Sequence, residues 1–243
     1  MIFRLCLLEQ VAIGSWEHLF PILISVIISI FLIRYSRRKL SRQHQVKLFH
    51  LLGCLVSFTV IAFHIYFISL GTYSLKTDLP LYLCSLIALL IPIFTYHRKF
   101  WMYEILLFWI IAGTLQGVIT PDIAEGFPTF DYFRYWVVHL GLLMIIFYAT
   151  FIFGMRPAFK SVFKSFFAFQ LYVLLMVLIN WMLDANYFYL NEKPKSASVL
   201  DYFGEWPWYI IVVQLLLIPY LLIIYLPFYL AKKKRTTISQ TTA

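Results

Sequence analysis

Charge is scarce in this chain. Of its 243 residues only 13% are charged, and 11 are acidic against 20 basic. Soluble domains carry about a quarter charged residues, so a water-facing surface of ordinary size cannot be built here. The three cysteines, Cys6, Cys54 and Cys84, are too few for a disulfide framework. No grouping of His, Cys, Asp and Glu has zinc-type spacing, and no Gly-rich phosphate loop is present. The sequence thus implies no metal site and no soluble cofactor. Internal repeats and soluble-domain boundaries are missing too. What fills the chain is apolar: 62% hydrophobic, 20% aromatic, with a mean hydropathy of +0.83. This composition predicts an all-α polytopic membrane protein, with residues 1–243 forming a single integral membrane domain.

Crossing about 30 Å of hydrocarbon takes about 20 apolar residues. Seven segments approach that length, at about 16–33, 48–70, 80–96, 100–118, 135–153, 162–183 and 207–230. The third is shortest, and Pro92 within it is expected to kink or end it. The segments between them alternate in charge. Basic residues cluster after the first, third, fifth and seventh spans, from Arg34–Lys47 to Lys232–Arg235, which accounts for fifteen of the 20. The positive-inside rule then places the N-terminus outside and the C-terminus inside. Acidic residues, which the rule does not use, agree: ten of the 11 fall in segments assigned outside, and the exception, Glu104, lies where Arg98 or Lys99 is expected to pair with it. The basic excess is therefore read as orientation in the cell membrane, not as a nucleic-acid footprint. Trp16, Trp101, Trp136, Trp181, Trp206 and Trp208 fall at expected boundaries, as interfacial anchors do. Residues 1–15 read as an outer-surface or re-entrant segment without a signal peptide. Residues 231–243 read as a basic cytoplasmic tail without fixed structure.

Polar side chains inside the spans mark candidate sites. At about 1.5 Å of rise per residue, His64, Cys84, Thr114, Gln116, His139, Asn180 and Gln214 mostly fall in a band within about 10 Å of the outer surface, with Asp122 just beyond it. The inner halves look nearly bare. Such groups also serve as interhelical hydrogen-bond glue, and "GTLQG" (113–117) reads as a small-residue packing pattern. Cys84 and His139 are the pair with chemistry to offer. A thiol needs a base within hydrogen-bond reach to attack an ester, and an imidazole at equal depth on a neighbouring helix supplies one. Asp78 and Pro80 suggest a helix start upstream, which would leave Cys84 only part of the helix dipole. Asp122, Gln116 or Tyr135 would orient the ring, since Asp131, Tyr135 and His139 share one helical face. Cys6 and Cys54 show no such company and read as packing.

Four ordered stretches, "LPLYLC" (79–84), "GTLQGVITPD" (113–122), "GFPTFDYFRYWVVHLGL" (126–142) and "NYFYLNEKP…LDYFGEWPWY" (186–209), resemble the YwaF-type bacterial integral membrane proteins, which are similar to the eukaryotic transmembrane protein 164 family. The resemblance covers essentially the whole chain. It implies a membrane acyltransferase that moves a fatty acyl chain between phospholipids, with Cys84 as nucleophile and His139 as its partner. Tyr82 departs from the pattern, since bacterial relatives often carry His there. The expected function is a thiol-dependent acyltransferase or acyl hydrolase acting on membrane phospholipid, with Gln116 or Asn180 stabilising the oxyanion and His64 supporting. The expected fold is a seven-helix bundle with a polar cavity open toward the outer leaflet, and a non-catalytic lipid or small-molecule binder, or a transporter using that cavity, is the alternative. Oligomeric state leaves no mark in the sequence.

Overall fold

The computed structural model describes residues 11–123, 125–194 and 198–241, with side chains through Lys232. The expectations for residues 1–10, including the packing role of Cys6, lie outside the described residues. Among these, every regular element is helical. In order they are α1 (Trp16–Lys39), α2 (Arg42–Ser69), α3 (Leu83–His97), α4 (Phe100–Trp109), a π-helical turn (Ile110–Thr114) that leads into α5 (Leu115–Ile119), α6 (Phe130–Phe151), α7 (Phe159–Leu183), two 3-10 turns (Tyr187–Tyr189 and Val199–Phe203) and α8 (Trp208–Thr241).

The helices begin where the sequence supplies caps. Ser15 accepts from the His18 N–H at 3.3 Å, Ser41 from His44 at 3.4 Å and Thr129 from Tyr132 at 3.2 Å, each occupying one otherwise unpartnered first-turn donor. Arg37, Arg38 and Lys39 close α1, where cations suit the helix dipole. Only two residues separate α1 from α2 and α3 from α4, so each pair is joined by a short turn.

Among the described residues, six helical segments are long and apolar enough to cross a membrane: α1, α2, the continuous run Phe100–Ile119, α6, α7 and α8 through Lys232. Their outward faces carry Phe31, Leu171 and Leu215, each more than 60% exposed, which is what a hydrocarbon-facing surface requires. The protein is a multi-pass membrane protein. The seventh apolar segment, α3, has 15 residues and a length of about 22 Å, short of the roughly 30 Å hydrocarbon core. Pro92 does not break it, and α8 likewise continues through Pro219 and Pro227.

The bundle is organised around α6. Its most apolar stretch is 67% buried, against 6% for that of α1, and α2, α3 and the α4–α5 run all pack on it. At the end carrying the basic loops, hydroxyls close on one another. The Tyr103 hydroxyl bonds Thr150 at 2.9 Å and Tyr148 donates to Ser36 at 3.1 Å, while midway along α2 Ser57 donates to the Leu89 carbonyl at 3.3 Å. This half is therefore not bare, but its polar groups are internally satisfied, as hydrocarbon demands.

Four expectations change. Glu104 pairs with Lys164 and accepts from Ser161 Oγ at 2.6 Å rather than meeting Arg98 or Lys99, because it faces α7 and not its own helix start. Trp136 is buried, stacked on His18 with ring centroids 5.8 Å apart, since α6 runs through the core; the other five boundary tryptophans are exposed. Cys54 does have an imidazole beside it, His50 Nε2 at 3.6 Å, one helical turn back on α2. The tail from 231 continues α8 to Thr241, an extension that good helix formers make readily once a helix is nucleated.

The Glu104 carboxylate is 6% exposed and its lysine 47% exposed, so removing Lys164 strands a buried charge. Lys164→Met is expected to lower stability in detergent by about 1–3 kcal/mol, and Glu104→Gln combined with it to recover part of the loss. Thermal unfolding of both variants checks this.

Candidate functional site

The position of Cys84 is set by three tyrosines. The Tyr187 hydroxyl donates to the Leu75 carbonyl at 2.8 Å and accepts from the Leu79 N–H at 2.9 Å, while Tyr172 donates to the Leu81 carbonyl at 2.8 Å. These bonds fix the turns from Leu75 through Pro80, so α3 begins at Leu83, with Tyr82 at its cap. Tyr82 itself packs against the rings of Tyr187 and Tyr189, both at 5.5 Å. Cys84 therefore sits in the first turn, closer to the helix start than the sequence suggests. First-turn amides lack intrahelical partners, and here no side chain caps them, so the sulfur lies within the turn where the helix dipole acts.

His139 approaches from α6. Its Nδ1 lies 2.8 Å from the Tyr135 carbonyl. A carbonyl can only accept, so in the neutral ring Nδ1 carries the proton and Nε2 is left as the acceptor. The Tyr135 ring stacks on the imidazole at 4.0 Å with 21° between planes. Tyr135 is fixed in turn by donating to the Gly117 carbonyl at 2.7 Å and accepting from the Asp122 N–H at 3.2 Å. The Cys84 and His139 side chains face the same cavity, with Ser85 beside them. With Nδ1 occupied, Nε2 is the ring atom free to take the thiol proton.

Both side chains line one cavity of about 510 Å³, together with Gln116, Asp122, Arg134 and Tyr189. Cys84 is partly accessible and His139 is 5% exposed. Gln116 faces the cavity with its amide 3.3 Å from Thr120 Oγ1. Asp122 accepts from the Tyr189 hydroxyl at 3.1 Å; burial, and then the Asp122 carboxylate, push that phenol well above its ordinary range, so Tyr189 remains a donor. The Asp122 side chain does not orient the imidazole; the Tyr135 carbonyl does.

Two expected members lie elsewhere. Asn180 is buried with both ends of its amide committed to the Tyr187 backbone, at 2.7 and 2.9 Å, so it clamps the end of α7 and is not available as an oxyanion donor. His64 lines neither cavity; its ring packs against Phe63 and Tyr73 and its Nδ1 is buried without a partner. Gln214 accepts from Gln170 at 2.9 Å, a bond between α7 and α8 of the interhelical kind. Among the described residues, no group of three or more His, Cys, Asp or Glu is placed to hold a metal ion.

Sequence reasoning missed Arg134, Tyr189 and the role of Gly117. Arg134 reads as an orientation charge, yet its guanidinium lies over the Phe63 ring at 4.4 Å, bonds Asp131 at 2.9 Å and lines the cavity that holds Cys84. Gly117 is close-packed, but against the imidazole: a Cβ there would sit 2.7 Å from His139 Nε2 and 3.0 Å from the Tyr135 hydroxyl. Gly117→Ala must push the ring off its place. A misplacement of about 1 Å costs on the order of 100-fold in a positioned reaction. The alkylation rate of Cys84 by a small thiol reagent at neutral pH, with Cys6 and Cys54 replaced by Ser, is expected to fall toward that extent.

No curated protein and no solved structure matches the chain. A family model does, over residues 13–225, a span that takes in the six membrane-length helices to within a few residues of the last, the cavity and its thiol–imidazole pair. By that match the chain belongs to the TMEM164 family.

Proposed function

We propose that the protein is a thiol-dependent acyltransferase or acyl hydrolase acting on phospholipid esters. One observation carries this reading: a partly accessible thiol in the first turn of a helix shares a cavity with an imidazole whose Nδ1 is held by a carbonyl, leaving Nε2 to act as base. On this reading Nε2 takes the Cys84 proton as the sulfur attacks the ester carbonyl carbon. The C–S bond forms, the ester C–O bond breaks, and the imidazolium returns the proton to the departing lipid alkoxide. A second hydroxyl, from water or another lysolipid, then resolves the thioester with His139 again as base. Backbone N–H groups at the start of α3 and the Gln116 amide are the donors for the oxyanion. Removing one such donor commonly costs on the order of 100- to 1,000-fold.

The same proposal includes topology. We infer that α3 is the seventh span, thinned or sunk at the end where Cys84 lies, with the N-terminus outside and the C-terminus inside the cell membrane. The basic loops at one end of the bundle support this orientation. A membrane-impermeant maleimide added to intact cells is expected to label a cysteine placed at Lys193 and not one at Arg38, in a background lacking the natural cysteines. The reverse pattern inverts the assignment.

For the chemistry, purified protein in lipid is incubated with an activated acyl ester and the thioester is mapped by mass spectrometry. Acylation is expected at Cys84 and not at Cys54, which has His50 beside it but opens on neither cavity. Cys84→Ala abolishes it, and His139→Ala slows it by about 100- to 10,000-fold. Acylation indifferent to both substitutions removes this reading in favour of a non-catalytic lipid-binding or transport role.

A further inference from the structure

The cavity containing Cys84 adjoins a second one of about 520 Å³. The two share walls made by Leu83, Ala112, Gly113, Gln116 and Phe188. Their chemistry differs sharply. Asp122, Arg134 and His139 face the first, whereas Phe108, Phe169, Val213, Leu217 and Leu221 face the second. The Ser165 hydroxyl on its wall is turned to the Ile105 carbonyl at 3.5 Å. One end of the combined space thus suits charge and hydrogen bonds, and the other suits hydrocarbon.

The junction is built by departures from regular structure. Ala112 and Gly113 lie in the π-helical turn, a distortion that recurs at functional sites. Gly113 is closely approached by Leu83, whose Cδ2 would lie 2.8 Å from a Cβ there and would have to shift. Opposite, Phe188 and Tyr189 hold consecutive left-handed backbones, with φ of 61° and 55°, a conformation that bulky residues rarely adopt. The Phe188 ring is fixed by edge contacts to Phe169 at 5.6 Å and Tyr172 at 5.2 Å. On α8 the apolar cavity extends from Val213 to Ile223, about 15 Å of helix rise. Leu216 and Ile223 on its wall are 47% and 65% exposed on the hydrocarbon-facing surface, so the space is reached sideways from the bilayer.

We propose that this second cavity binds the alkyl tail of a single acyl chain, with the carbonyl end at Cys84, and that its depth sets the preferred chain length. The position of the carbonyl end rests on the acyl-transfer reading above; the tail site does not. A tail entering from the bilayer exchanges one hydrocarbon environment for another, so burial alone gives little preference. Selection comes from fit. A chain that overfills the space strains its walls, and one that underfills it leaves a void.

The test uses the full chain in lipid with Cys84→Ala, so that no thioester forms, and lysophospholipids of eight and sixteen carbons bearing a terminal diazirine. After irradiation the sixteen-carbon probe is expected to cross-link Phe108, Leu217 or Leu221. Leu217→Trp and, as a second variant at the nearer end, Val213→Trp each lower the ratio of long- to short-tail cross-linking by about tenfold, the scale of overpacking a filled site. Cross-links confined to outward residues such as Leu171 and Leu215, unchanged in both variants, mean annular lipid only and overturn the proposal. A parallel preparation that retains Cys84 is treated with activated acyl esters of both lengths. Cavity cross-links, with no thioester in that preparation, sustain the tail site while ending the acyl-transfer reading. A thioester there whose chain-length preference ignores both Trp substitutions overturns the tail site and leaves the chemistry standing.

Discussion

In hydrocarbon a polar atom has no water to fall back on, so each one must find its partner within the protein. That constraint sorts this molecule into two halves. At the basic end, Tyr103, Tyr148 and Ser161 spend their hydroxyls on neighbouring helices. At the other end the same kinds of residue are arranged around a space. His139 gives Nδ1 to a carbonyl and keeps Nε2, Gln116 uses one amide hydrogen, and Asp122 accepts from Tyr189 on its rim. The difference between structural glue and a candidate site is thus one of accounting: the first leaves nothing over, and the second leaves groups facing an opening.

Tyrosine does most of the positioning at the open end. Tyr187 and Tyr172 fix the turn before α3, Tyr135 fixes the imidazole, and Tyr189 ties Asp122 to the loop after α7. Each combines a broad apolar ring with one hydroxyl that reaches across an interface. This lets long loops be pinned without charged groups, in a chain that has few. The ion pair between the α2–α3 loop and the end of α7, Lys76 to Asp184, is solvent-exposed at both ends and contributes little by comparison.

Much of this was legible in the sequence, and the failures are instructive. The seven apolar segments each correspond to a helix, because length and hydropathy are local properties. Cys84 and His139 facing one cavity could be anticipated from depth along their spans. What depth cannot give is rotation about the helix axis and the use already made of a group. Asn180 lies at a suitable depth yet is consumed by the Tyr187 backbone, and His64 is turned to another part of the bundle. Arg134 was hidden by its usefulness as an orientation signal. The His50–Cys54 contact, by contrast, was readable from i, i+4 spacing alone, and what sets it apart from Cys84 is the lack of an opening. The π-helical turn has no proline or other obvious sequence mark; it becomes intelligible only when Gly113 meets Leu83 and Gly117 meets His139.

The shortness of α3 fits into the same account. At 15 residues it falls several ångströms short of the hydrocarbon thickness that its neighbours α2 and α6 are long enough to span. Had the helix started at Asp78, the thiol would lie in its second turn, where backbone amides are paired within the helix and the dipole has faded. Starting at Leu83 instead brings free first-turn amides level with Cys84. The tyrosine-bonded turn from Leu75 to Leu81 takes up the missing length. Under the proposed chemistry, this places sulfur, base and amide donors together at the depth where a phospholipid presents its ester carbonyls, while the apolar cavity continues toward the bilayer interior. A longer, more regular α3 would cross the membrane more comfortably and would leave the thiol electrostatically ordinary.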